Sequence, residues 1–313
     1  MITEGDEESG NHIDHYVESL KERIGNPELI FCLDSGTVDY EHLWTTTSLR
    51  GYIAGTLTVK TMTEGVHSGD ASGVVPSAFR IVNMLLGRLE NLQTGEINER
   101  FNVDIPPTRY KEAFELVKNL GENALKPYPW YGSTHRVYDN VLKTVLARTW
   151  KPQLAITGAN GLPEVETAGN VMLPYCTVKV SLRCPPTLNS AQKAQELKEL
   201  LTSNPPYGAD VTFDILSAGD GWSCPAYSEW LDNALVEAGK TYFTGDVLSQ
   251  GEGGSIPLMG LLNQIWPKAQ FIVTGVLGPE SNAHGPNEFL HLEYTKKLTQ
   301  AMAHVLARSA EAK

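Results

Sequence analysis

Leu29-Ile30-Phe31-Cys32-Leu33-Asp34-Ser35-Gly36 sets an apolar run of strand length against an acid, a hydroxyl and a glycine. A continuous apolar run of this kind fits a strand buried on both faces of a parallel sheet. Upstream, Asn11 is a good N-cap, and Ile13, Tyr16, Val17, Leu20 and Ile24 recur at helical spacing until Gly25 and Pro27 stop them. Ahead of that helix, Met1-Ile2-Thr3 runs into the carboxylate pair Glu7-Glu8 and ends at Gly10. The expected unit is strand, helix, strand. A right-handed crossover makes the two strands parallel and puts Glu7, Glu8 and Asp34 at carboxyl ends of strands, where open α/β sheets build their sites. Neighbours leaving a strand point different ways, so one carboxylate of the pair can bind a metal while the other reaches a metal-bound water.

From Arg50-Gly51 the pattern changes, and Thr56-Leu57-Thr58-Val59-Lys60 alternates as a half-solvated strand does. A second domain is expected to start here. The glycine-punctuated loop Gly65-Val66-His67-Ser68-Gly69-Asp70-Ala71-Ser72-Gly73 leads to a helix from about Pro76, with Phe79, Val82, Leu86 and Leu89 on one face. Residues 92–152 are polar, rich in proline and tryptophan, with one clear helical stretch at Tyr110–Leu120, and are expected to be an insertion. A strand at Leu154–Thr157, another over Val171–Leu182, a helix at Ser190–Leu201 and a strand at Val211–Leu216 complete a βαββαβ pattern, one sheet with two helices. After Ala218 a helix over Cys224–Gly239 is expected. Gln250-Gly251-Glu252-Gly253-Gly254-Ser255-Ile256-Pro257 then opens a further helix with backbone N–H groups suited to a carboxylate. Gln270–Val276 is a second buried parallel strand, which places His284 past a carboxyl end. The last helix, His291–Ala312, is expected to face the sheet with Leu292, Leu298, Met302 and Leu306.

The chain has 313 residues, 41% of them hydrophobic and 20% charged, with a formal net charge of −12. That length accommodates two domains. The acidic balance, with no basic stripe, excludes nucleic acid as a partner, and no apolar run approaches a membrane span. Cys32, Cys176, Cys184 and Cys224 show neither metal-site spacing nor the density of a disulfide scaffold, which points to a reducing, cytoplasmic setting.

Five stretches, Thr3–Gly10, Leu33–Gly36, Gly65–Gly73, Glu252–Pro257 and Ser281–Glu288, together resemble one family in order and spacing. This is the aminoacylase, glutamate carboxypeptidase and dipeptidase family of co-catalytic di-zinc hydrolases. The pattern looks most like its cytosolic non-specific dipeptidase and carnosinase branch. The resemblance implies an α/β catalytic domain of parallel or mixed sheet, incomplete here, with an inserted ferredoxin-like α+β lid that dimerises. The corresponding boundaries are 1–50 and 219–313 for the catalytic segments and 51–218 for the lid, with the insertion at 92–152. It implies Glu7 as general base and Glu8, Asp34 and His284 as ligands of two Zn²⁺ ions, with other divalent metals as substitutes. His67 matches a lid histidine that steadies the oxyanion in the partner's site across a homodimer. Asn170, Arg183, Gly254 and Ser255 match positions that hold the substrate, a small peptide or N-acyl amino acid with a free carboxylate. Gly251 departs from the branch, which often has arginine there.

The family also takes a zinc histidine and a bridging aspartate from upstream of its Glu-Glu pair, and no such stretch precedes Glu7 here. The chain is therefore expected to be the C-terminal portion of a longer metallopeptidase, of dipeptidase or carboxypeptidase type, and inactive alone. The alternatives are a catalytically incompetent remnant that serves as a dimerisation module, and an N-acyl amino acid deacylase.

Overall fold

The computed structural model describes residues 13–312. In chain order its strands are β1 (Leu29–Cys32), β2 (Trp44–Leu49), β3 (Gly51–Lys60), β4 (Val66–His67), β5 (Gln153–Asn160), β6 (Val171–Met172), β7 (Tyr175–Cys184), β8 (Asp210–Gly219), β9 (Trp222–Ser223), β10 (Leu248–Glu252) and β11 (Gln270–Val273). The helices are α1 (Ile13–Ser19), α2 (Lys21–Ile24), α3 (Ser68–Ala71), α4 (Ala78–Leu89), α5 (Pro107–Leu120), α6 (Val141–Trp150), α7 (Ser190–Thr202), α8 (Glu229–Tyr242), α9 (Pro257–Ile265) and α10 (Leu292–Glu311). The described residues form two compact units, the first from 13–49, 105–146 and 222–312, the second from 50–104 and 147–221. The strand expected before α1, with Glu7 and Glu8, lies outside the described residues.

The first unit is α/β. β1 pairs in parallel with β11, from Leu29 opposite Gln270 to Cys32 opposite Val273, as two apolar runs joined by crossovers should. β10 pairs in parallel with β2, and β9 adds a short antiparallel edge. Apolar side chains leave β11 on both faces. Ile272 packs with α8 and α10, while Phe271 and Val273 pack with α1 and α9. β1 itself is only half buried and Leu33 is exposed, so its apolar run is less enclosed among the described residues than a central parallel strand would be.

The second unit is a four-stranded antiparallel sheet in the order β5-β7-β3-β8, with α4 and α7 packed on its apolar face. β3 alternates buried and half-buried residues, as Thr56–Lys60 foretold. Pro174 divides the expected Val171–Leu182 strand into β6 and β7, because proline has no N–H for a ladder.

Three expectations about faces and segments need correction. In α4 the buried residues are Ala78, Ile81, Val82, Leu85, Leu86 and Leu89, while Phe79 is exposed. In α10 they are Tyr294, Leu298, Ala301 and Val305, with Leu292 and Leu306 exposed. Residues 105–146 belong to the first unit, where Ala113 and Leu116 of α5 and Val145 of α6 join the core of α8 and α10. α5 starts on prolines and ends at Gly121, whose φ of 57° suits glycine.

Candidate active site

In the first unit three strand ends carry the singled-out residues. Past β1 and β11 the parallel pairing continues as an isolated bridge between Gly36 and Leu277, with Thr37 N–H donating to Leu277 O at 2.8 Å. The two chains run so close that a Cβ on Gly275 would lie 1.6 Å from Ser35 O. Asp34 and the loop bearing His284 therefore leave neighbouring strands, and both side chains are exposed. The third strand end is that of β10. A Cβ on Gly36 would meet Leu277 O at 2.6 Å and Glu252 Oε1 at 3.7 Å, so the turn holding Gly254 and Ser255 starts beside the Asp34 loop. That turn feeds α9, which has Ile256 as N-cap with no side-chain cap and Pro257 in its first turn. Backbone N–H groups at such a helix start attract an anion.

The His284 loop is locally strained. Glu280, Asn282, His284 and Asn287 all have positive φ, at 64°, 53°, 61° and 59°. Strain of this kind persists only where the surroundings fix it, and it gathers at functional sites. The His284 N–H donates to Glu288 Oε2 at 3.2 Å, and Asn282 Nδ2 donates to Pro286 O at 2.6 Å. Asn282 and Asn287 were the visible signal, since asparagine tolerates this region best after glycine.

The loop after Asp34 is pinned by Asp39, which sequence reasoning passed over. Its Oδ1 accepts from Glu41 N–H and His42 N–H, both at 2.9 Å, and from Trp44 Nε1 at 3.1 Å, while Oδ2 lies 2.8 Å from His42 Nδ1. Burial pushes the Asp39 carboxyl up, but the hydrogen bonds from His42, Trp44 and Glu41 outweigh it and hold the group below its ordinary value.

In the second unit, β4 pairs with β6 so that His67 stands opposite Val171, and Ser68 N–H donates to Asn170 O at 3.0 Å. His67 and Asn170 are thus neighbours, both exposed. His67 caps the short α3, with Nδ1 accepting from Gly69 N–H at 3.2 Å, which leaves Nε2 as the N–H of the neutral ring. A Cβ at Gly69 would lie 2.9 Å from the imidazole, so a side chain there would displace His67 from this cap. Arg183 is elsewhere in this unit, paired with Tyr52 and Gln153 at the other end of β7. At ~3.3 Å per residue, that end lies roughly 26 Å along the strand from Tyr175, so the unit does not bring Arg183 to His67.

Carboxylate oxygen and imidazole nitrogen are normal ligands of zinc and similar cations, so Asp34 and His284 fit a divalent metal in donor chemistry. Among the described residues, however, no group of three or more His, Cys, Asp or Glu converges on one point. Two such donors are fewer than the three protein ligands a catalytic zinc ordinarily takes.

An α/β unit with an acidic and an imidazole side chain past parallel strand ends, and a separate antiparallel unit of four strands and two helices with an exposed loop histidine, define the fold. The peptidase dimerisation domain of the M20 peptidases matches residues 47–209, and the chain belongs to that family. It is 30% identical over 309 residues to a cysteinylglycine-S-conjugate dipeptidase of Corynebacterium striatum, covering 92% of this chain and 62% of that protein. Its fold is similar to that of the di-peptidase Dug1p of Saccharomyces cerevisiae, with a TM-score of 0.72 at 20% identity, over 98% of this chain and 65% of that one. It is likewise similar to human carnosine dipeptidase 1, with a TM-score of 0.70 at 18% identity, over 98% of this chain and 65% of that one. The chain thus spans a little under two thirds of the length of these relatives.

Proposed function

We propose that the chain works in a metal-dependent dipeptidase, cleaving a peptide bond next to a free carboxylate. The observation that carries this reading is the placement of Asp34 and His284 past the ends of two adjacent parallel strands, beside the turn that holds Gly254 and Ser255. Asp34, His284 and Glu8 would hold the metal, taken to be zinc. When bound, such an ion polarises the scissile carbonyl and acidifies a water. Glu7 takes a proton from the nucleophilic water and passes it to the leaving amine. His67 acts from the lid of a second copy, donating Nε2–H to the oxyanion, with Asn170 beside it. Arg183 and the N–H groups at Gly254 and Ser255 bind the substrate carboxylate. Residues 1–50 and 219–313 form the catalytic part and 51–218 the lid, with 105–146 added to the catalytic side.

The test compares kcat/KM of the full-length gene product for a dipeptide, its C-terminal amide and an N-acetyl amino acid, before and after chelation. Chelator-sensitive cleavage of the dipeptide, slower on the amide, is expected. Preference for the N-acetyl substrate would move the assignment to a deacylase. Absence of all three activities with zinc supplied would leave a dimerisation module.

A further inference from the structure

We propose that Glu112, on α5 of the 92–152 segment, is a positioning residue for the candidate site, acting through Thr47 and Gln250 on the backbone at Gly36. The functional consequence rests on the hydrolase reading above. Glu112 uses both carboxylate oxygens. Oε1 accepts from Arg109 Nη1 at 2.6 Å, and Oε2 accepts from Thr47 Oγ1 at 2.6 Å. Arg109 Nη2 donates to Cys224 O, which ties the pair to the core of the unit. Thr47 lies in β2, where every residue is buried, and its single hydroxyl proton, given mainly to Glu112, is shared with the Gln250 main-chain carbonyl at 3.2 Å. Gln250, equally buried, donates from Nε2 to Gly36 O at 3.0 Å.

The path from the helix to the backbone two residues after Asp34 therefore runs through the Glu112 and Thr47 side chains to the Gln250 main chain, and from there through the Gln250 side chain. It also reaches β10 two residues before Glu252, where the register against β2 slips between Gln250 and Gly251. A slip of this kind commonly re-aims the residues that follow it. Gly36 is the point on which the rim turns, held between Leu277 and Glu252. Apolar side chains at 47 and 250 would fill this core without the penalty of burying polar groups. The retained polar chain fixes instead how far apart the Asp34 loop and the Gly254-Ser255 turn stand. Supporting hydrogen bonds of this kind tune metal ligands even where they touch no substrate.

The experiment uses the full-length gene product with Thr47→Val, Thr47→Ser, Glu112→Gln, and Leu235→Ala as a core control on α8. Local hydrogen exchange, Zn²⁺ affinity and the split between kcat and KM are read together. In Thr47→Val, amides at 34–37 and 250–256 should exchange faster while the rest of the unit is unchanged, and Zn²⁺ should bind roughly 10–100-fold more weakly. Thr47→Ser should restore both, Glu112→Gln should show a smaller effect of the same sign, and Leu235→Ala should lose stability without the local signature. Should Thr47→Val fail to fold, Glu112→Gln reads the same quantities. Unchanged local exchange and Zn²⁺ affinity in the folded network variants, or an equal local effect in Leu235→Ala, would overturn the proposal. If the network variants respond as stated but the wild type cleaves no dipeptide, the hydrolase reading falls and the positioning role stands. If the wild type cleaves dipeptides and the variants match it throughout, the reverse holds.

Discussion

Asp39 shows how one side chain can fix the loop that follows a candidate ligand. Asp39→Ala leaves the Trp44 indole and two backbone N–H groups without their acceptor, so a loss of about 1–3 kcal/mol is expected in urea denaturation at pH 7. The carboxyl is held below its ordinary value in the folded state, so its contribution is present above the unfolded value, near ~3.9, and is lost as pH falls through the folded one. Stability measured from pH 5 downward should fall more steeply in wild type than in the variant, and equal slopes would show that the group does not titrate as described. The position of Asp34 and His284 past strand ends was legible because each follows an apolar strand run. Thr47, Glu112 and Gln250 were not, since the contacts linking them to one another and to Gly36 span 65 to 214 positions and no local spacing records them. Asp39 instead bonds Glu41, His42 and Trp44 within five residues, a local turn pattern that was there to be read.

At the scale of elements, the lid is the part whose sequence and fold agree most closely. Strand alternation in β3 and the order β-α-β-β-α-β are set by local periodicity, which a single sequence displays. Helix faces were read less well. In α10 the core is built from Tyr294, Ala301 and Val305 as well as Leu298, and a pattern that weights leucine over alanine rotates the buried stripe toward Leu292 and Leu306. The short pairing of β4 with β6 sets His67 and Asn170 together on one exposed edge. On the proposed reading, in which His67 serves the site of a second copy, it should be complemented. Co-expressed His67→Ala and Glu7→Gln subunits place one intact site in each heterodimer, and activity should partly return from single-variant levels roughly 10²–10³-fold and 10²–10⁴-fold down. Heterodimers that form without recovering activity would put His67 outside the partner's site.

Across the whole molecule, no disulfide links the four cysteines and all of them are buried. Burial pushes the Cys184 and Cys224 thiols up to about 12, with nearby Arg50 and Arg109 only partly offsetting it. Thiolate is the reactive form, so a thiol reagent at pH 8 should label the folded protein slowly and all four residues once it is denatured. Rapid labelling of any of them in the native state would contradict this packing. No described helix is long and apolar enough to cross a membrane. The proposed hydrolysis needs a metal held past the ends of β1 and β11. Bound zinc and dipeptide kcat/KM are therefore measured in the full-length gene product beside Asp34→Ala and His284→Ala. Both variants should keep the wild-type melting temperature within a few degrees, lose zinc, and fall by more than roughly 100-fold, beyond what loss of a supporting contact gives. Wild-type zinc content and kcat/KM in both variants would contradict the account.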